Sequence, residues 1–412
     1  MKHLLRLLVV SVLMLAMSLG LYSNGLNLNG NGSKAIAMGG AFVGLADDYS
    51  AVFWNPAGLT QMKETQLAFF GTDIIPKGTY KWDLVGIDTE MESKHYPSGG
   101  VGFFKPLSEK VVIGVYAHVP SGLGGTWKGN ELAALSGGMT FDWSSKVGIF
   151  AFSPAVAFKL SDQFSLGVAF NLNYGMLKIK RPTGLGQYEE DLDGFAFNAT
   201  LGLMFKPSDK FSIGLSFKTP MKVKIKGDVT MPGAAIFGLP GTDEGEREAT
   251  WPMWFGAGIA FKPTGCLTIT VDAQYTNWKK MESIPISFTN AGWIANFESG
   301  SELQLRWKDA VQWRFGLEYK VSEAFALRGG FYTDPVVSPI DTHNILLPEL
   351  GYNFVTFGFG YKKGKIILDV GVEYGIGKDI TVGILEADPA AGMPGTHGLD
   401  ILVPNIALTI LL

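Results

Sequence analysis

The sequence predicts an all-β fold: a fourteen-stranded antiparallel transmembrane β-barrel. Three observations carry that prediction. Segments rich in Val, Ile, Phe, Tyr and Gly recur from Thr65 to the C-terminus with a period of two. The links between them alternate between tight turns and long loops. Beyond the N-terminus no apolar run is long enough to cross a bilayer as a helix, although mean hydropathy is positive and only 17% of residues are charged.

Taken in order, the chain opens with a signal peptide over residues 1–23: Lys2, His3 and Arg6, an apolar run from Leu7 to Leu15, then small residues that place cleavage after Gly20 or Ser23. The stretch Asn24–Leu59 does not read as a strand. Its glycines break any long regular element, and Ser33–Met38 supports little more than a helical turn or two. It closes at Asn55-Pro56-Ala57-Gly58, where proline fixes its own φ and pushes Asn55 toward extended geometry.

Strand-like segments follow. The ninth sets Leu267, Ile269, Val271, Ala273 and Tyr275 against Thr268, Thr270, Asp272, Gln274 and Thr276. The fifth, near 163–180, sets Phe164, Leu166, Val168 and Phe170 against Ser165, Gly167, Ala169 and Asn171. Even-numbered strands end in turns such as Ser161-Asp162 and Lys363-Gly364; odd-numbered strands end in links such as 121–146, 181–192 and 333–351. Alternating link lengths over an even strand count is the topology of an outer-membrane barrel. Tyr174, Trp251, Trp278, Trp307, Trp313 and Tyr361 fit interfacial girdles.

Composition excludes other chemistries. A net charge of −4 leaves no basic footprint for nucleic acid. The single cysteine, Cys266, rules out a disulfide, a cysteine metal cluster and a lipidated N-terminal cysteine. His95, His118, His343 and His397 lie far apart without metal spacing, and no Ser–His signature is present, so no catalytic residue, metal or cofactor is expected. Gly30–Ala35 superficially resembles a dinucleotide fingerprint but follows no strand and opens no βαβ unit.

Asn55-Pro56-Ala57, after Gly39-Gly40-Ala41 and Ala46-Asp47-Asp48, resembles the FadL/TodX family of outer-membrane long-chain fatty acid and hydrocarbon transporters. Ser121–Trp127, Tyr275-Thr276-Asn277-Trp278, Trp307-Lys308-Asp309-Ala310 and Asp334-Pro335-Val336 resemble it too. The resemblance implies a hatch (plug) over residues 24–62 inside the lumen of a barrel over 63–412. It also implies passive, monomeric transport in the outer membrane, in contact with its lipid and without enzyme activity. A long-chain fatty acid or similar hydrophobic small molecule would be captured at extracellular loops, bound in the barrel and released laterally at a kinked third strand. The C-terminal Ile410-Leu411-Leu412 departs from the family's usual aromatic ending. A general polar-solute porin, or uptake of monoaromatic hydrocarbons by the same route, is the alternative.

Candidate sites follow from the residues. A buried methylene contributes about 0.8 kcal/mol, so a tail supplies affinity while a cation sets the orientation of a carboxylate. The fifth strand's parity turns Leu177, Ile179 and Arg181 inward. On a tenth strand near 303–319, Arg306, Lys308, Gln312 and Arg314 share the face opposite Leu305 and Trp307, because an outward Arg at the bilayer midplane costs about 2–4 kcal/mol. By resemblance, Arg181 and Lys308 match the family's carboxylate-binding residues; salt bridges to Glu318, Asp47 or Asp48 are the other reading. Pro120 cannot donate a ladder bond and Gly122 permits a bend, so a wall gap is expected near Gly114 to Gly122, against a strand that simply ends there. Leu135, Ile236, Phe237 and Leu346 mark apolar loop tips suited either to capture or to loop-on-loop packing.

Overall fold

The computed structural model describes residues 25–28 and 30–412; the expected signal peptide and Asn24, at the head of the expected hatch, lie outside the described residues. Fourteen strands pair antiparallel in chain order and close on themselves. They are β1 (Gln66–Trp82), β2 (Tyr96–Pro106), β3 (Val111–Trp127), β4 (Trp143–Lys159), β5 (Phe164–Thr183), β6 (Gly186–Ser208), β7 (Phe211–Lys218 with Met221–Thr230), β8 (Thr242–Trp251 with Trp254–Phe261), β9 (Leu267–Thr276), β10 (Ala310–Lys320), β11 (Phe325–Asp334), β12 (Gly351–Lys363), β13 (Ile366–Lys378) and β14 (Gly395–Leu411). The seam between β1 and β14 runs from Gln66↔Leu411 to Lys81↔Thr396. Closure leaves no free sheet edge.

The period of two sorts side chains across this wall. Phe164 and Phe205 stack outward with ring centroids 4.5 Å apart, as do Phe170 and Phe197 at 5.9 Å. Thr268, Thr270, Asp272 and Gln274 are buried on the inner face. Among the described residues no helix is long and apolar enough to cross a membrane.

β7 and β8 are each interrupted, at Thr219-Pro220 and at Pro252-Met253. Proline brings no N–H to the ladder, so each strand is rejoined by a second piece in a new register. The upper half of β7 pairs with Glu189–Asp193 of β6 and the lower half with Thr200–Ser208; between them the ladder lapses, and Thr219 bonds Ala199 and Asn198 instead.

Several sequence expectations change. The link expected over 181–192 is ladder: β5 and β6 pair to Thr183↔Gly186 around a two-residue turn. The tenth strand starts at Ala310 rather than near 303. Arg306 adopts a left-handed φ of 51°, and Leu305 and Arg306 both donate their N–H to the Glu282 carbonyl, which breaks the extended run. Trp278 and Trp307 do not belong to an outer girdle; they are buried, edge to face, at 5.1 Å, and Trp251 packs beside them.

Residues 33–62 lie against the inner faces of the strands. Two short helices, α1 (Ser33–Ala37) and α2 (Ala51–Trp54), lead into a 3-10 turn at Pro56–Gln61. None is long enough to be stable alone, so the segment takes its stability from the wall. Asn55 donates to the carbonyls of Val43 (2.9 Å) and Leu203 (3.1 Å) and accepts from the Ala57 N–H. The wall meets it with glycine: a Cβ on Gly214 would lie 1.9 Å from the Val43 oxygen, and one on Gly167 2.2 Å from Pro56. Lys34 bonds Asp47 at 2.8 Å and approaches Glu318, while Arg328 bridges Glu318 (2.8 Å) and Asp369 (2.5 Å), so charge also ties the segment to β10, β11 and β13.

Candidate functional site

β3 holds the site because it is paired unequally. Its lower half pairs with β2 from Val112↔Pro106 to His118↔Gly100. Above that rung Tyr96–Gly99 of β2 have no partner on β3. β3 stays bonded to β4 on its other side, but with a register shift between His118 and Ser121, at Val119-Pro120. A bulge of this kind bends the strand away from its neighbour. Higher up, Glu92 donates to the Thr126 carbonyl at 2.8 Å and closes the opening. The result is a window in the wall.

A cavity of about 840 Å³ passes through that window, within the ~300–1,000 Å³ usual for small-molecule sites. Tyr96, Ser98, Gly122 and Leu123 frame it, and Ile74, Pro76, Phe354, Leu399 and Val403 line its inner walls. Seven acidic residues and four lysines line it; among the acids Glu349 accepts from the Gly25 N–H (3.2 Å), Glu373 from Tyr332 (2.7 Å) and Asp334 from Gln312 (2.5 Å).

Residues 26–28 replace the missing β2 partner. Leu28 donates to the Pro120 carbonyl (3.1 Å), Gly122 donates to the Leu26 carbonyl (3.0 Å), and Asn27 pairs with Ser121. This clasp separates the window from two smaller spaces. One, about 40 Å³, is apolar and lined by Leu26, Leu177, Val223, Ile225 and Leu347. Its single cation, Arg247, is neutralised by Glu190 through two bonds of 2.6 Å, with both side chains fully buried. The other, about 70 Å³, lies between the clasp and α2 and is polar, with Asn171, Asn173, Asn198, Thr200, Lys218 and Arg314 in its walls.

Loops cover the long-link side. Trp127 donates to the Ile345 carbonyl at 3.0 Å, and Ser145 to that of Leu346. His343, in the β11–β12 loop, packs edge to face on His397 at 4.6 Å with neither ring nitrogen hydrogen-bonded; burial, with His397 adding to it, pushes its pKa down to about 3.

The structure scatters the residues singled out from sequence. Leu177 and Ile179 are buried inward, and Leu177 lines the apolar space. Arg181 lies over the Tyr188 ring at 5.2 Å. Arg306 bonds Asp388 (2.7 Å) and Asp341 (3.1 Å), tying two loops together. Lys308 is exposed ahead of β10, with its backbone N–H on the Val337 carbonyl, so the lumen-face position expected for both is corrected by the late start of that strand. Pro120 and Gly122 border the window. Gly114 lies below it, paired with Phe104 and Ala155, which corrects the lower bound of the expected gap. Of the loop tips, Ile236 is 77% and Phe237 51% exposed, whereas Leu135 and Leu346 pack into loop clusters. Sequence reasoning missed the clasp and Lys218. Pro220, two residues beyond Lys218, was the available signal that the strand breaks there.

A closed wall with an apolar outer face, a filled interior and a side window defines the class: a transport barrel of the outer membrane. The chain matches the family model described as outer membrane protein transport protein (OMPP1/FadL/TodX) over residues 9–400, and it belongs to that family, whose members carry fatty acids or hydrocarbons across the outer membrane. It is 20% identical over 401 residues to outer membrane protein P1 of Haemophilus influenzae, covering 83% of this chain and 84% of that one. It is 21% identical over 422 residues to the long-chain fatty acid transport protein of Escherichia coli K12, covering 88% and 90%. In fold it is similar to a Pseudomonas aeruginosa FadL homologue (TM-score 0.78, 16% identity, 94% and 99% covered) and to the Pseudomonas putida toluene transporter TodX (0.72, 16%, 94% and 100%).

Proposed function

We propose that the protein carries long-chain fatty acids or similar hydrophobic compounds passively across the outer membrane and releases them sideways through the window in β3. The observation that carries this reading is the continuity of the 840 Å³ cavity from the outer wall at Tyr96 to the lumen at Phe354. On this route a ligand is taken up at the exposed Ile236-Phe237 loop tip, with Arg181 and Lys308 as first contacts for a carboxylate. It then moves past Leu177 and Ile179 and displaces the clasp. Residues 24–62 act as a hatch, pinned by Asn55, Pro56 and Ala57, so that water and ions do not follow. Burial of residues 33–62 against the wall supports that role and speaks against an open porin.

A neutral hydrocarbon is the second reading. Seven acidic residues against four lysines leave the lining of the window cavity net negative, which disfavours a fatty acid head-group but not toluene. One experiment tests both. Deleting Pro120 alone removes the one extra residue of the register shift, so β3 should pair with β2 past His118 and close the window. Uptake of oleate and toluene into cells carrying this variant should then fall to the level of cells without the protein. Undiminished uptake of both would rule out the lateral route, and strong ion conductance by the intact protein would favour the porin.

A further inference from the structure

A lysine stands at the foot of each even-numbered strand from β2 to β12: Lys105, Lys159, Lys206, Lys262, Lys320 and Lys362. Each directly follows a Phe or Tyr and leads into a tight turn. Five of the six are equivalent in space, because the backbone N–H of each from Lys159 to Lys362 closes the last rung on the lead-in of the preceding strand at 2.7–2.8 Å. They share one level around the circumference. That level is where the apolar outer band ends: Phe158, Phe261, Tyr319 and Tyr361, each just before one of these lysines, are 43–51% exposed. Outward aromatic rings mark the boundary between hydrocarbon and head-groups, and a lysine stem reaches from there into the head-group layer.

Charge follows the same geometry. The six turns, 105–110, 159–163, 206–210, 262–266, 320–324 and 362–365, hold ten lysines against four acidic residues. Neutralisation among them is slight. Among the described residues their one ion pair is Lys159–Asp162 at 2.8 Å, with Asp162 97% exposed, and Lys206 donates to Gln61 of the interior segment at 3.0 Å. The other end has the opposite sign, since links 83–95, 128–142, 277–309, 335–350 and 379–394 hold six Lys or Arg against fifteen Asp or Glu. The net charge of −4 conceals a barrel polarised along its axis.

We propose that the turn-side rim is a docking surface for anionic phospholipid, its lysines pairing with the phosphodiester groups of the leaflet around the turns. The distribution selects this partner. An acidic protein engages one side of a surface, whereas lysines at all six turns, level with outward aromatics, match a partner present all the way round. The assignment is independent of the ligand carried.

Cys266, the single cysteine, lies on this rim in the β8–β9 turn and accepts the closing bond of Lys320. A fluorophore attached there, on the full-length protein in phosphatidylcholine bilayers, should be quenched more strongly by chain-spin-labelled phosphatidylglycerol than by the matching phosphatidylcholine. A lysine beside an anionic surface favours it by about fivefold, so a quenching ratio of at least about three is expected. Salt at about 1 M should bring the ratio close to one. The triple variant K210Q, K262Q and K320Q should also lose the preference, and the Arg versions at the same positions should keep it. So should K222Q, K224Q and K226Q at the other end of β7. Unchanged migration in unheated gels shows that each variant is folded. Equal quenching of the intact protein by the two lipids, or a preference that survives the rim Gln variant, overturns the proposal. Equal quenching together with salt-sensitive binding of polyglutamate would overturn it in favour of an acidic protein partner.

Discussion

Asn55 bonds two layers with a single amide, since its NH₂ reaches Val43 within the interior segment and Leu203 on β6. Removing it takes a donor from the buried Val43 carbonyl, at about 1–3 kcal/mol, and from the part-buried Leu203 carbonyl. We expect Asn55→Ala to exchange the amide hydrogens of 33–62 at least tenfold faster while the barrel keeps its unheated gel mobility; unchanged exchange would show that the glycine contacts at Gly167 and Gly214 suffice. This corner was legible in the sequence because proline and asparagine specify local geometry wherever they stand. Lys218 was not, because it packs on Phe53 and Trp254, which reach it from distant parts of the chain. Strand parity does not carry to Arg306 and Lys308, because the positive φ of Arg306 interrupts the extended run ahead of β10.

At the scale of the strand, the alternation that revealed the barrel also hid its upper part. In β5 the apolar side chains point outward from Phe164 to Phe170 and inward at Leu177 and Ile179, where Lys178 and Lys180 face out and pair with Asp191 and Glu189. In the upper half of β7 Val223 and Ile225 are likewise buried while Lys224 pairs with Glu246. Below that level lipid is outside; above it water is, and the pattern changes sign. An alternation followed with one sign ends at that change, so the ladder over 181–192 is not visible in the sequence pattern. The loops over this upper part carry their own prediction. His343 is held neutral by burial, its pKa depressed from 6.5 to about 3. As pH falls below 6.5 the unfolded loop gains a proton that the packed one refuses, so its contribution to stability is present above that pH and is lost toward pH 3. A spin label at Ile340→Cys, with Cys266→Ser, should become more mobile across that window. His343→Phe should abolish the change; a mobility change that persists would assign the transition to other groups.

For the whole molecule, interior segment and wall share one ionic network, in which Arg328 balances Glu318 and Asp369 and Lys34 balances Asp47. Breaking a buried pair from one side costs about 3–5 kcal/mol because the partner charge stays behind. Arg328→Met strands two carboxylates, so we expect a lower urea midpoint for folding into vesicles, with Lys34→Met milder because its partner Asp47 is 23% exposed, against 6–7% for Glu318 and Asp369. Equal midpoints for Arg328→Met and the unaltered protein would mean that the network adds nothing net. Strand count, closure and the lateral weakness at Pro120 were all legible, because each rests on turn chemistry or period. The window's extent was not, because it depends on where β2 stops pairing with β3, and Pro97 and Gly99-Gly100 do not by themselves say which neighbour β2 loses.

On the proposed route, the clasp at residues 26–28 would set a speed as well as a path. Two backbone hydrogen bonds, the Ser121–Asn27 contact and the Trp251 indole N–H on Asn27 hold it, and Leu26 is buried. At about 0.5–1.5 kcal/mol each, the hydrogen bonds alone leave it undone in roughly one molecule in thirty to one in thirty thousand at any instant. Local openings of this size recur on microsecond to millisecond timescales. A channel gated in this way behaves like a turnstile: once every barrel holds a ligand, a steeper gradient adds no flux, and a passive pore saturates as a carrier does.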